Sequence, residues 1–307
     1  MRRPIMVAAN SLPLREVRDR VRAACASGVD ELWLEQLPQE RDSSVLAAEF
    51  LHTAPDARVG TAILPMYPRH PVATAQLAAT MAELSGGRFT LGLGLSNPFV
   101  NDYMLGYAQG PPLRTVREYT TIVRSLLREG SVEFEGKHFT ARIRYDAPRD
   151  EHVPIYLAGM RAKMIRLAVE LGDGLLLWLC SPRYVRDTVV PAVRRACAEF
   201  GKSAADFPVL AVVLVRTEED REQARRALNS YVMIPYYRRY LAAQGFTPAD
   251  YERGVSDRLL DEITVIGDGP RIKEGLDAYA AAGCTPVPCP ATATLAGFER
   301  ILGELGT

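Results

Sequence analysis

The chain has 307 residues, 48% hydrophobic and 24% charged, with 37 Lys and Arg against 37 Asp and Glu. These globular-average proportions exclude a fibrous or disordered protein, and zero net charge gives no electrostatic footprint for nucleic acid or anionic lipid. The longest apolar runs, residues 175–180 and 209–215, fall far short of the about 20 residues a membrane span needs. The stretch before Arg15 and Glu16 is too short for a secretory signal.

One rhythm dominates: a short apolar run, a loop, then an amphipathic helix. Residues 5–9 read as the first strand, followed by Leu14, Val17, Val21 and Ala24 on one helical face, with Gly28 as the stop. Strands follow at 31–35 and 58–64, with a helix at 44–51 between them. Pro71 opens a helix to Glu83, ended by Ser85, Gly86 and Gly87. The fourth strand is 88–95. Residues 97–113 read as a long loop, 115–128 as a helix and 132–139 as a small hairpin centred on Gly136. The alternation resumes with a strand at 154–158, a helix at 162–171, a strand at 174–179 and a helix at 184–200. A seventh strand at 208–215 leads into helix from 219 to 243, broken near Pro235. Gly269 and Pro270 start a helix that ends near Gly283. An eighth strand at 285–289 and a helix at 298–305 complete the pattern.

Eight apolar strands, each followed by a helix, fit either an α/β barrel or an open doubly wound sheet. The first strand lacks a following GxGxxG, since Asn10, Ser11, Leu12 and Pro13 stand there. The expected architecture is therefore a single-domain (β/α)8 TIM barrel over residues 1–307, with insertions after strands 4 and 7. Five scattered cysteines (Cys25, Cys180, Cys197, Cys284, Cys289) without CxxC spacing read as reduced thiols of a cytoplasmic protein, with neither disulfide framework nor zinc site. The four histidines (His52, His70, His138, His152) show no metal-binding spacing.

Barrel chemistry sits at the carboxyl ends of the strands. That rule selects Asn10, Glu35 and Gln36, 64–66, Ser96 and Asn97, Gly159 to Arg161, Cys180 and Ser181, and Arg216 and Thr217. Glu35 is the only carboxylate ending one of the first four strands; it fits a cofactor-ring acceptor, a proton donor or an ion-pair partner. A GxSxG elbow is missing, because Pro98 stands where its second glycine belongs. At Gly159-Met160-Arg161-Ala162-Lys163 a strand ends in glycine and a helix begins at once, with two cations beside the free N–H groups. That is a phosphate-binding arrangement, against an ordinary βα turn as the plain alternative. Gly267-Asp268-Gly269-Pro270 is a plain helix start, because Asp268 repels anions and Pro270 lacks a donor. Gly92 and Gly94 clear space inside the fourth strand for a ligand or a bend.

Four segments together carry a resemblance: VGTAILPMYPRHPVATAQLAATMAELSGGRFTLGLG (59–94), TVREYTTIVRSLLREG (115–130) followed by FEGKHF (134–139), VPIYLAGMRAKMIRLAVELGDGLLL (153–177) and ITVIGDGPRIKEGLDAYAAAGC (263–284). The chain resembles the bacterial luciferase-like superfamily of flavin- and deazaflavin-dependent oxidoreductases. The resemblance implies a third-strand bulge, often with a non-proline cis peptide, at Ala62 and Ile63, backing one face of a tricyclic ring. It places a ring-contacting acid at Glu35, with Leu95 and Ser96 beside the ring, and a phosphate turn over Gly159, Met160, Arg161, Ala162, Lys163 and Met164. Two ionisable positions of the sugar-phosphate-oxidising branch fall on Gln36 and Asn97, which do not ionise, so that substrate class is not expected.

The resemblance favours coenzyme F420 over FMN, through the SGGRF turn and the Arg117-Glu118-Tyr119 helix. The expected activity is hydride transfer between F420 and a small organic substrate bearing an activated C=C, C=N or C=O group, or the reverse. Glu35, Gln36 and Asn97 are the candidate catalytic positions. Tyr67, Tyr103, Trp178 and Tyr237 are candidate pocket walls, with core packing the plainer role for Trp178. The alternatives are a monooxygenase using reduced FMN and O2 with a separate cofactor reductase, and a cofactor-binding barrel without turnover. The resemblance also implies a homodimer and a small-molecule substrate, while charge, apolar run lengths and histidine spacing leave nucleic acid, membrane and metal unexpected.

Overall fold

A computed structural model describes residues 2–9, 12–147 and 151–306; Asn10 lies outside the described residues. In chain order the elements are β1 (Pro4–Met6), α1 (Leu14–Ala26), β2 (Glu31–Leu34), α2 (Ser43–Thr53), β3 (Arg58–Thr61), β4 (Leu64–Pro65), α3 (Pro71–Ser85) and β5 (Phe89–Gly94). There follow α4 (Pro112–Glu129), the hairpin β6 (Ser131–Glu135) and β7 (Thr140–Arg144), β8 (Ile155–Ala158), α5 (Ala162–Leu171), β9 (Gly174–Trp178), α6 (Pro182–Tyr184) and α7 (Val190–Glu199). The last part comprises β10 (Val209–Arg216), α8 (Arg221–Val232), α9 (Pro235–Ala243), α10 (Asp257–Ile263), β11 (Thr264–Ile266), α11 (Gly269–Ala281), β12 (Thr285–Cys289) and α12 (Leu295–Gly306).

The main sheet runs β1-β2-β3-β5-β8-β9-β10, with β12 also on β10, and every pairing in it is parallel. β12 comes back against β1, so the sheet curls round on itself. All eight residues of β10 are buried, as expected of a parallel strand covered on both faces. Helices form the outer layer through the stripes visible in the sequence: α1 buries Val17, Val21 and Ala24, and α4 buries Val116, Tyr119, Ile122 and Leu126. Among the described residues, no helix is long and apolar enough to cross a membrane.

Several boundaries differ from the sequence reading, each for a local reason. The third strand does not run unbroken through 58–64; it stops at Thr61 and resumes as β4 beyond a bulge. A further short strand, β11, follows α10 directly, because the helical stripe of Leu259, Leu260 and Ile263 hides the change of period. The 97–113 segment is not all loop: Phe99–Met104 forms a π-helical turn, and Pro112 opens α4. The helix expected from 184 starts at Pro182, where Ser181 Oγ accepts from the Tyr184 N–H at 3.2 Å, and widens into a π turn at Val185–Val189. The helix expected over 219–243 is present as α8 and α9 with its break before Pro235, and a further helix, α10, lies outside the sequence reading. The hairpin is longer than expected, and its turn is tied to α4 by Glu118, which accepts from the N–H groups of Lys137, His138 and Phe139 at 3.0, 2.7 and 3.1 Å.

Candidate active site

The bulge follows from glycine. β3 pairs with β5 as far as Gly60 and Thr90 and then departs. A Cβ at position 92 would lie 1.7 Å from the Thr61 carbonyl oxygen, so that carbonyl occupies the space of the missing side chain. Thr61 Oγ1 replaces the lost ladder bonds, accepting from Gly92 N–H at 2.9 Å and donating to Gly92 O at 2.8 Å. The Ala62–Ile63 peptide is cis, and Ala62 N–H donates to Leu34 O at 2.7 Å. β4 then re-pairs with Leu93 and Gly94. A Cβ on Gly94 would meet Ile63 Cδ1 at 2.8 Å and Ala158 Cβ at 3.1 Å. Ala62 and Ile63 are only half-buried between the buried Thr61 and Leu64.

Two strands from β3, β8 ends in the turn that starts α5. Gly159 N–H donates to Leu176 O at 3.2 Å, and Tyr184 Oη donates to Met160 O at 3.0 Å, which fixes the turn. Arg161 is the N-cap residue but provides no side-chain cap, and the first turn holds no acid. Arg161, Ala162 and Lys163 are exposed and Met164 is half-buried. Uncapped first-turn N–H groups, a positive dipole end and two flanking cations are the features by which a helix start can attract an anion.

The other strand ends converge on Glu35, which is half-buried. Its charge acts on Tyr231, Tyr237, Cys289 and Glu40, groups from the β10–β11 connection, from β12 and from its own loop. Asn97 is buried; its Oδ1 accepts from the Val100 N–H at 3.2 Å and its side chain is hydrogen-bonded to Tyr237. Ser96, before it, has φ +63°, and Leu179 after β9 has φ +53°, left-handed conformations uncommon for residues with a Cβ. Leu95 is buried and its carbonyl accepts from Asn101 Nδ2 at 2.6 Å. Trp178, Tyr231, Tyr237 and Tyr236 form a continuous aromatic row with centroid spacings of 5.8, 5.1 and 5.2 Å, and Arg161 sits 5.8 Å over the Tyr236 ring. That row links the end of β9, the α8–α9 segment and the start of α5.

The luciferase-like monooxygenase family profile matches residues 1–285. The chain belongs to that family. Among its relatives, the 5,10-methylenetetrahydromethanopterin reductase of Archaeoglobus fulgidus is 26% identical over 295 residues, covering 89% of this chain and 88% of the relative. The F420-dependent glucose-6-phosphate dehydrogenase of Nakamurella multipartita is 30% identical over 220 residues, covering 67% of this chain and 61% of the relative. In fold, the chain resembles an F420-dependent secondary alcohol dehydrogenase solved with an F420–acetone adduct, with a TM-score of 0.82, 17% identity and 99% and 98% coverage. It also resembles an FMN-bound type II Baeyer-Villiger monooxygenase from Pseudomonas putida, with a TM-score of 0.72, 16% identity and 100% and 96% coverage.

Within this luciferase-like fold the individual candidates fare differently. Gln36 is used structurally: its Oε1 accepts from Ser43 N–H at 3.3 Å, Ser43 Oγ at 3.0 Å and Arg69 Nη1 at 3.4 Å. Arg69 also ion-pairs with Asp42, the N-cap of α2, so Gln36 fastens the start of that helix. Tyr67 Oη accepts from the Gly110 N–H at 2.9 Å and pins the loop before α4. Tyr103 is 79% exposed and stacked on Phe99. Trp178 is half-buried in the aromatic row rather than wholly in the core. Asp268 caps its own helix by accepting from Arg271 N–H at 3.3 Å, as its sequence implies. Among the described residues no three His, Cys, Asp or Glu side chains converge as metal ligands.

The sequence reading missed Tyr231, Gln244 and Tyr279. Gln244 donates to Leu179 O at 2.8 Å and accepts from the Ser181 N–H at 2.9 Å, and Tyr279 Oη donates to Cys180 O at 2.8 Å. Together they hold the strand end at Leu179 in place. No local pattern marks such braces, since each acts from 60 or more residues away in sequence.

Glu40 gives a pH test of the acidic mouth. Burial, reinforced by the charge of Glu35, pushes its carboxyl from an ordinary value near 4.5 up to about 7. The folded protein therefore holds this proton more tightly than the unfolded chain. Its contribution to stability falls as pH rises from about 4.5 and is fully lost above about 7. Because Glu40 is half-exposed, solvent screening reduces the effect to about 1 kcal/mol. Glu40→Gln is expected to raise the urea midpoint at pH 8 and leave it unchanged at pH 4.5.

Proposed function

We propose that this luciferase-like chain is an oxidoreductase that exchanges hydride between coenzyme F420 and a small organic substrate, reducing an activated C=C, C=N or C=O group or running the reverse. The observation that carries the proposal is the bulge at Ala62 and Ile63, admitted by Gly92 and Gly94 of β5, the strand that lies between the bulge and β8, which leads into the uncapped α5 turn. A flat ring with an anionic tail needs both: a half-open apolar support without side-chain bulk behind it, and an anion anchor nearby. When bound, the deazaflavin supplies or accepts the hydride at C5.

In this reading Ala62 and Ile63 back one ring face, Leu95 and Ser96 lie beside it, and Glu35 meets the ring edge. Gly159, Met160, Arg161, Ala162, Lys163 and Met164 hold the phosphate through N–H groups and the two cations. Trp178, Tyr231 and Tyr237 exclude water over the reacting face, and Asn97 positions Tyr237. Gln36 and Asn97 cannot exchange a proton. The proton that accompanies the hydride therefore passes through water, Glu35 or a neighbouring phenol. We further propose a closed (β/α)8 barrel sealed between β12 and β1. Insertions follow its fourth strand, before β8, and its seventh, before β12, in one domain that forms a cytoplasmic homodimer.

F420 is favoured because relatives that align with most of this chain include an F420-dependent dehydrogenase and the methanopterin reductase. The FMN-bound neighbour supplies the alternative, a monooxygenase served by a separate reductase. Fluorescence titration of the purified protein with F420 and with FMN separates the two. Micromolar binding of F420 is expected, followed by oxidation of reduced F420 by at least one carbonyl, imine or activated alkene acceptor. Micromolar FMN binding alone, with O2 consumed on adding reduced FMN, overturns the assignment in favour of a monooxygenase. Binding of F420 with no turnover of any acceptor leaves a cofactor-holding barrel instead.

A further inference from the structure

Arg216 ends β10 and is only 3% exposed. Strand alternation places it on the face of Leu214 and Val212, whose ladder partners are Cys289, Val287 and Trp178. That face opens on the mouth, because Trp178 packs on Tyr231, and both Tyr231 and Cys289 feel the charge of Glu35. Arg216 Nη1 donates to Val215 O at 2.9 Å and Cys289 O at 3.3 Å. Nε is enclosed without a partner. Among the described residues, Nη2 has no acceptor and no carboxylate forms an ion pair with this guanidinium. Asp220, the acid whose charge reaches it, is engaged with Thr217.

Fully buried arginine is rarely left unpaired, because two carbonyl acceptors do not repay the loss of hydration. The unused Nε and Nη2 form one edge of the planar fork, a pair of parallel N–H donors spaced for two oxygens of a single anion. We infer that this edge of Arg216 binds an oxyanion group of the substrate, a carboxylate or a phosphate monoester. The inference rests on reading the mouth as the substrate site. It is separate from the α5 anchor: β9 lies between β8 and β10, so strand spacing puts the two anion points roughly 10 Å apart. The site can then hold a cofactor phosphate and a substrate anion together.

Thermal melts of cofactor-free protein test this with benzoate, phenyl phosphate and inorganic phosphate as probes and neutral benzamide as control. Benzoate or phenyl phosphate at millimolar concentration is expected to raise the wild-type Tm by several degrees, while benzamide does not. A response to the organic anions but not to inorganic phosphate points to a substrate-borne group; a response to inorganic phosphate alone overturns the inference. Arg216→Met is expected to melt at or above the wild-type temperature without anion, lose the shift, and bind F420 within twofold of wild type. Arg216→Lys keeps the charge without the fork and is expected to lose at least three-quarters of the shift, which provides a readout if Arg216→Met does not fold. A wild-type Tm that ignores every anion, or a shift that survives in either variant, overturns the inference. So does a large loss of F420 affinity in Arg216→Met, which would assign the anion to the cofactor. Failure of wild-type F420 binding would sink the cofactor assignment while leaving the anion response readable.

Discussion

Gly92→Ala is expected to cost about 3 kcal/mol of stability and to remove measurable cofactor binding. The added Cβ would sit 1.7 Å from Thr61 O and 2.9 Å from its carbonyl carbon, contacts no rotamer change relieves because both atoms are backbone. The nearby Leu176 Cδ1, at 2.8 Å, can move aside. Relief requires Thr61 to retreat, which breaks both hydrogen bonds between its hydroxyl and the Gly92 backbone in a buried environment. Overpacking costs typically about 1–3 kcal/mol, and two broken buried bonds place this case at the upper end. Gly94→Ala is the informative companion. Its closest clash is with Ile63 Cδ1, the free end of a flexible side chain, so stability should fall by only about 1 kcal/mol. Ile63 must move toward the proposed ring, however, so affinity should still drop. Urea unfolding and F420 titration of both variants check the pair. A Gly92→Ala protein with wild-type midpoint and affinity would mean that the bulge is not what supports the ring.

The alternation of apolar runs and amphipathic stripes was legible because parallel strands buried on both faces cannot hide their composition. Val209 to Val215 and Leu175 to Leu177 read as strands on sight. The α5 turn was equally legible, since a strand-ending glycine with Arg161 and Lys163 two and four residues on, at a helix start, is a local pattern. The bulge could be placed only through resemblance, because Thr61, Ala62 and Ile63 are ordinary strand residues; what makes room for them is Gly92, on another strand. β11 was hidden for a different reason: three residues are too few to show a period of two after a helix of similar composition. The mouth was least legible. Tyr237 reads as a pocket wall, but Tyr231 looks like a helix-face aromatic until the fold brings it beside Tyr237 and within reach of the Glu35 charge. Gln36 aligned with a catalytic position, yet its amide is taken up by Ser43 and Arg69, partners that sequence spacing does not suggest.

Arg161→Glu should raise the dissociation constant for the cofactor about a hundredfold while leaving the protein as stable as before, or slightly more so. Arg161 is exposed, and its described side-chain contact is the Tyr236 ring at 5.8 Å, so little packing is lost. An acidic residue at the start of α5 interacts favourably with the helix dipole, worth about 0.3–1 kcal/mol. The same negative charge occupies the space where a phosphate must lie, and the charge-assisted bond from the guanidinium is gone. Losing that bond and adding repulsion together supply about 2.7 kcal/mol, which is the hundredfold. Arg161→Ala removes only the attraction and should cost about tenfold. Raising salt should weaken wild-type binding more than binding to Arg161→Glu, since part of the attraction being screened is absent from the variant. Opposite movement of Tm and affinity is the diagnostic result. A merely structural arginine would lower both together, and a surface arginine remote from the cofactor would change neither.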